Sequence, residues 1–381
     1  MLSANLSGRT LRQIIYLHAG GEQIRLRLSN RYGDAPVTLR SVSVGQALGS
    51  AFLRAGGKTV LFEGQTTVTL EPGHEIISDA VALRVEALTN LAITFFLAQG
   101  ESITGHLTAQ QTSYVSGMGD YTAVPVEATS FVYPLMTSSW WLITGVDVLP
   151  ASQLNAVVAF GSSVTDGVNS TPDTNRRWPD YLARRLVGAG GTRVMSVLNA
   201  GISGNQLTSS EMPQRAETGM LRSLFGEAET PRLLFGEAGT QRLAWDVLEQ
   251  PGATDLIVHI GSNDLRFGVS GETLINAFQQ VVSRARKTYR RVFGTTILPG
   301  GYSPEQAEQR QLVNTWMLEQ GDQWFDAVFD FAKPLRSPED DAVLNPTYDS
   351  GDGIHPNDEG YQLMAAAVDI SQLTGSSAFK G

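Results

Sequence analysis

Val157-Val158-Ala159-Phe160-Gly161-Ser162-Ser163-Val164-Thr165-Asp166-Gly167 is the stretch whose reading decides the fold. Four consecutive apolar residues ending at a glycine read as a strand buried on both faces, because a half-buried strand would alternate. A helix-like segment follows, through Trp178, Tyr181, Leu182 and Leu186, and stops at Gly188-Ala189-Gly190-Gly191. Further apolar strands are expected at Val194 to Leu198, Leu256 to Ile260, Val292 to Ile297 and Ala327 to Phe331, with helices at Leu274 to Arg286 and Glu305 to Met317. Alternation of strand and helix predicts an α/β domain with a mostly parallel sheet and helices on both faces.

Upstream the period changes. Gln23-Ile24-Arg25-Leu26-Arg27-Leu28 alternates apolar and polar, and similar runs occur at Val37 to Val44, Thr67 to Leu70, Ala82 to Val85 and Leu91 to Phe96. Turn clusters such as Asn30-Arg31-Tyr32-Gly33-Asp34 and Glu71-Pro72-Gly73 separate them. Short strands at this spacing predict an antiparallel β-sandwich of jelly-roll type over 1–148, ahead of an α/β domain over 149–381.

Composition narrows the chemistry. The 381 residues suffice for two cores, with 42% hydrophobic and 17% charged residues. A net charge of -10 from scattered acids argues against a nucleic-acid partner, which needs clustered Lys and Arg. With no cysteine there is neither a disulfide nor a thiolate nucleophile. No stretch has the roughly 18 apolar residues of a membrane span. The N-terminus lacks the charged and apolar regions of a secretory signal, which fits a cytoplasmic protein or a secreted one whose leader is missing from this chain.

In a parallel α/β sheet, chemistry sits past the carboxyl ends of the strands, and four such places carry suitable residues. Ser163 lies in a tight strand-to-helix turn, which exposes a hydroxyl and turns a backbone N–H toward a developing oxyanion. Asn199-Ala200-Gly201-Ile202-Ser203-Gly204-Asn205 holds two glycines that permit close backbone approach. Ile260-Gly261-Ser262-Asn263-Asp264 offers an amide donor, or alternatively a helix N-cap. Asp352-Gly353-Ile354-His355 spaces a carboxylate three residues before an imidazole, which lets it hold Nδ1 while Nε2 faces a nucleophile. Each signal alone is a common turn or cap. Of the five histidines His18, His74, His106, His259 and His355, the last has the most polar neighbourhood.

Taken in order, these blocks resemble the SGNH or GDSL hydrolase superfamily from about residue 150 onward, with a flavodoxin-like three-layer fold implied. The resemblance places the nucleophile at Ser163 within Gly161 to Gly167 and the triad partners at Asp352 and His355. It puts oxyanion donors at Ser163, Gly204 and Asn263, and Trp178-Pro179 matches the helix start after the nucleophile block. The family usually has Asp where this chain has Ser162, and register after the strand favours Ser163 as the attacking group. The β-rich half resembles the extra domain of a two-domain bacterial branch described as arylesterase or acylhydrolase.

The resemblance implies short-acyl ester hydrolysis through an acyl-enzyme, on small, aryl or carbohydrate esters, without a cofactor or metal. Its pH limb is expected near or somewhat above ~6.5, the ordinary imidazole value. The alternatives are a lysophospholipase or thioesterase, and a non-catalytic carbohydrate-binding protein on the same fold. Homo-oligomerisation through the β-domain is left open.

Three further features stand outside these blocks. Leu224-Phe225-Gly226-Glu227-Ala228 recurs as Leu234-Phe235-Gly236-Glu237-Ala238, read as a duplicated surface insertion or a lid. Trp140-Trp141 reads as interface packing or a sugar platform. Asp166 to Ser170 lacks the Gly and Glu positions of a calcium loop.

Overall fold

The computed structural model describes residues 6–54, 57–100, 103–123, 128–131, 135–211 and 235–376. The chain divides into two compact units, Met1–Ser152 with Pro172–Thr174, and Gln153–Thr171 with Asn175–Gly381.

In the first unit, an eight-stranded antiparallel sheet runs in the order Leu135–Thr137, Ser113–Met118, Arg9–Leu17, Thr89–Gln99, Val37–Gly49 and Phe52–Leu53, with Lys58–Val60 and Val68–Leu70 also pairing to Val37–Gly49. A second sheet joins Ile143–Leu149, Gln23–Ser29 and Glu75–Ile77. The alternation read from the sequence holds in Gln23–Ser29, where Ile24, Leu26 and Leu28 are buried and Gln23 and Arg25 exposed. Leu11, Val42, Ile93 and Phe95 from the large sheet share one apolar core with Ile24, Leu26 and Leu28 from the small one. The expected strand over Ala82 to Val85 is reduced to isolated bridges, Ile24 with Val81 and Gly21 with Val85.

Trp140 and Trp141 are half-buried within this unit. The Trp140 indole donates to the Ile14 carbonyl at 3.1 Å, and Trp141 packs on the apolar core, so neither ring is a free platform.

The second unit is built on five parallel strands in the spatial order Ser196–Gly201, Ala156–Gly161, Ala253–His259, Arg291–Thr295 and Ala327–Phe329. In chain order this is 2-1-3-4-5, so the direction of winding reverses beside Ala156–Gly161. Every residue of that strand is buried, as its unbroken apolar sequence requires. Each fully buried Val or Phe there contributes roughly 1.5–3 kcal/mol of transfer free energy.

Helix Gly271–Ala285 turns Leu274, Ala277, Phe278, Val281, Val282 and Ala285 inward, the spacing of one helical face. Ser270 caps it by accepting from the Thr273 N–H. Ser303 and Gln306 form a reciprocal capping box on helix Pro304–Gln320. Helix Trp178–Ala189 starts where the Trp-Pro pair indicated. Among the described residues, no helix is long and apolar enough to cross a membrane.

Candidate active site

The turn after Ala156–Gly161 is fixed by crowding. A Cβ on Gly161 would lie 2.0 Å from Thr165 Oγ1 and 2.5 Å from the His259 carbonyl, so only glycine fits. The chain then enters a single helical turn, Ser163–Asp166, ended by Gly167 at φ 95°. Thr165 in turn accepts from the indole N–H of fully buried Trp178 at 3.3 Å. This packing delivers Ser163 to the end of the sheet. Ser162 is buried, at 3% exposure, and Ser163 is only half-buried.

His355 Nε2 lies 2.9 Å from Ser163 Oγ, and His355 Nδ1 lies 2.6 Å from Asp352 Oδ2. An ionised carboxylate only accepts, so Nδ1 carries the proton and Nε2 is left to accept from the serine hydroxyl. Asp352 Oδ1 accepts from the backbone N–H groups of Ile354 and His355, both at 2.8 Å. Burial alone would raise the Asp352 pKa, but these hydrogen bonds and the adjacent imidazole hold it below its ordinary value. For His355, burial is the largest influence and lowers the pKa; Asp352 opposes it, Arg266 adds to it, and the net direction is down. Where the sequence reading places the limb near or somewhat above ~6.5, the imidazole in the structure lies below its ordinary value because burial outweighs the carboxylate.

Gly204 sits at φ 78°, and a Cβ there would lie 2.2 Å from the Phe235 ring. Among the described residues, no hydrogen bond engages the N–H of Ser163 or Gly204. Asn263 lies inside helix Ser262–Arg266, whose N-cap is Gly261, so the capping alternative for Asn263 and Asp264 is excluded. One Asn263 amide hydrogen goes to the Asn205 carbonyl at 2.9 Å, which leaves the second for a ligand. The structure thus brings Ser163, Asp352 and His355 into one hydrogen-bonded chain. It sets Asn263 against the segment carrying Gly204.

Several residues that hold this arrangement escaped the sequence reading. Arg242, 1% exposed, donates to the Gly161 carbonyl at 2.8 Å, the Ala200 carbonyl at 2.9 Å and Asn205 Oδ1 at 3.0 Å. It also pairs with Asp246 at 3.0 Å and lies over the Phe160 ring. The Asn205 amide donates to the carbonyls of Phe235 and Glu237, both at 2.7 Å, fixing this part of the second repeat copy, from Phe235 on, beside Gly204. The first copy, 224–228, lies outside the described residues. Asp264 accepts from the N–H groups of Leu207 and Thr208 and from the Thr208 hydroxyl, at 2.8, 2.9 and 2.7 Å. Burial raises its pKa despite those donors. Asp166 accepts from the N–H and hydroxyl of Ser203, tying the turn that carries Ser163 to the glycine segment. The Arg242–Asp246 spacing of four was the single local signal for any of these.

The sequence profile of the GDSL-like lipase/acylhydrolase family matches residues 159–363, more than half of the chain. The chain belongs to the GDSL-like lipase/acylhydrolase family. Solved structures it resembles include an acetyl xylan esterase from Geobacillus stearothermophilus, at 15% identity and TM-score 0.41, covering 59% of this chain and 98% of that one. A carbohydrate acetylesterase from Sinorhizobium meliloti has 15% identity and TM-score 0.40, covering 56% and 95%. A GDSL-like lipase from Bacteroides thetaiotaomicron has 19% identity and TM-score 0.38, covering 57% and 87%. No curated protein matches the chain.

Beside the turn, Ser162 lines a cavity of about 10 Å³ with Val164, His259, Ile297, Leu298 and Ile354. That is close to the space one water needs. His259 Nδ1 lies 2.8 Å from Thr295 Oγ1, whose own proton goes to the Val258 carbonyl, so the imidazole donates through Nδ1. Burial pulls the His259 pKa down from 6.5 to about 3. The unfolded chain therefore takes up this proton first as pH falls, and stability present above about 6.5 is lost toward 3. The slope approaches about 1.4 kcal/mol per pH unit. Denaturant titrations between these pH values should show His259→Asn losing stability less steeply than the parent; parallel profiles would contradict the assignment.

Proposed function

We propose that this GDSL-family protein is a serine esterase that hydrolyses short-acyl, acetyl-type carboxylic esters through an acyl-enzyme. The observation that carries the reading is the unbroken chain from Asp352 through His355 to Ser163, whose hydroxyl faces an unprotonated imidazole nitrogen. Ser163 Oγ attacks the ester carbonyl while its proton passes to His355 Nε2. Asp352 orients the ring and stabilises its cationic form. The tetrahedral oxyanion accepts from the N–H groups of Ser163 and Gly204 and the spare Asn263 amide hydrogen. Collapse breaks the bond to the alcohol, which leaves with the proton from His355. Water then adds to the acyl-enzyme and gives a proton to the same nitrogen; collapse breaks the acyl–Oγ bond, His355 returns that proton to Ser163 Oγ, and the acid departs. No step draws on a cofactor.

Residues 149–381 would form this hydrolase domain, a flavodoxin-like three-layer fold, with 1–148 as a jelly-roll-like accessory sandwich. The alcohol would be a small, aryl or carbohydrate alcohol.

Ser163→Ala should lower kcat by about 10⁶, with Ser162→Ala costing far less. Asn263→Ala should cost about 10²–10³ in kcat at nearly constant KM. A larger loss for Ser162 than Ser163, or a mere twofold loss at Asn263, would overturn the assignments. Because the His355 proton must leave before attack and its pKa lies below 6.5, kcat/KM should rise with pH to half-maximum below 6.5. A limb above that value would contradict the site's electrostatics. Across p-nitrophenyl esters of increasing chain length, activity should be greatest at acetyl and fall with length, with acetylated xylan tested in parallel. A maximum at long chains would favour the lysophospholipase or thioesterase reading.

A further inference from the structure

We infer that Asn169 is a positioning residue that fixes the carboxylate of Asp352, a reading that rests on the proposed triad. Asn169 Nδ2 lies 2.8 Å from Asp352 Oδ2 and 2.9 Å from Ser350 Oγ. The carboxylate has no hydrogen to give, so the amide must present its nitrogen there.

The four acceptor positions of Asp352 are then filled. Oδ1 takes the N–H groups of Ile354 and His355, and Oδ2 takes His355 Nδ1 and Asn169 Nδ2. With Asn169 removed, Oδ2 is held by the imidazole alone, the group it has to orient.

The backbone around Asn169 is built for this reach. Val168 donates its N–H to the Ser163 carbonyl at 3.0 Å, and its own carbonyl accepts from the fully buried Tyr361 hydroxyl at 2.6 Å. On the other side, the N–H and hydroxyl of Thr171 are held by Asp358 at 2.8 and 2.7 Å. Between these anchors Asn169 adopts φ 64°, a left-handed conformation that asparagine tolerates better than most side chains. The turn that presents the nucleophile thus also carries a donor to the third member of the triad. Asn169 is exposed, so the contact contributes to no core and can be removed without opening one.

Asn169→Gly removes the amide and keeps the left-handed backbone comfortable. It should lower kcat by roughly 10–100-fold, the scale of a misplaced catalytic group, with KM within about twofold and the melting temperature unchanged. Asn169→Asp places a second carboxylate against Asp352. The added negative charge should raise the His355 pKa and move the kcat/KM limb upward by roughly half a unit or more. NMR titration of the His355 ring reads the same shift without turnover. Ser350→Ala, which removes the other acceptor of the amide, should change kcat by less than about threefold. An active parent with Asn169→Gly at parent kcat, or Asn169→Asp without a shift in either titration, would overturn the inference. A parent without esterase activity would instead remove the functional reading on which it rests.

Discussion

A buried guanidinium joins the chain segments on which the site depends. Arg242 donates to the last carbonyl of the strand before Ser163, to a carbonyl near the end of the neighbouring strand, and to the side chain of Asn205. Burying a charge is costly unless its donors are satisfied, and a planar group with five N–H donors is suited to several fixed acceptors at once. The guanidinium therefore defines the separation of two strand ends. Asn205 extends that constraint to the Gly204 segment and, through its carbonyl, to Asn263. Replacing the charge with an apolar side chain would leave two strand-end carbonyls and an amide oxygen without these donors.

Carboxylates share the remaining positioning. Asp166 holds Ser203, Asp264 holds Leu207 and Thr208, and Asp352 holds His355. Each accepts from groups across a turn or between turns, so the polar ends of the strands are braced by directional contacts while the apolar strands hold the sheet. Burial then sets the electrostatics: it keeps His259 neutral and lowers His355 below its ordinary value. A base poised in this way is available at neutral pH without a metal or a second base in the proposed mechanism.

The parallel unit was legible because fully buried strands have a period that local sequence records, and because Gly161 and the Asp352–His355 spacing encode geometry over a few residues. Boundaries were less legible. The strand expected from Val194 begins at Ser196 after a turn over Gly191–Arg193, and it runs on through Asn199, Ala200 and Gly201, which the sequence presents as the following loop. Ala82 to Val85 alternates as a strand should, yet the segment Val81 to Val85 is tied only by isolated bridges, Val81 to Ile24 and Val85 to Gly21, since alternation reports burial and not pairing. The roles of Arg242, Asp264 and Asn169 are not legible because the partners lie 81, 57 and 183 positions away. No local pattern marks a polar residue that will be useful only after the chain has closed on it.

The central claim is that the imidazole of His355 activates Ser163 and not its buried neighbour Ser162. Reaction of the intact protein with a fluorophosphonate, followed by peptide mass mapping, tests this most directly. One adduct per chain on Ser163, lost in Ser163→Ala and greatly slowed in His355→Ala, is the predicted result. An adduct on Ser162, or labelling at an undiminished rate without His355, would contradict the account.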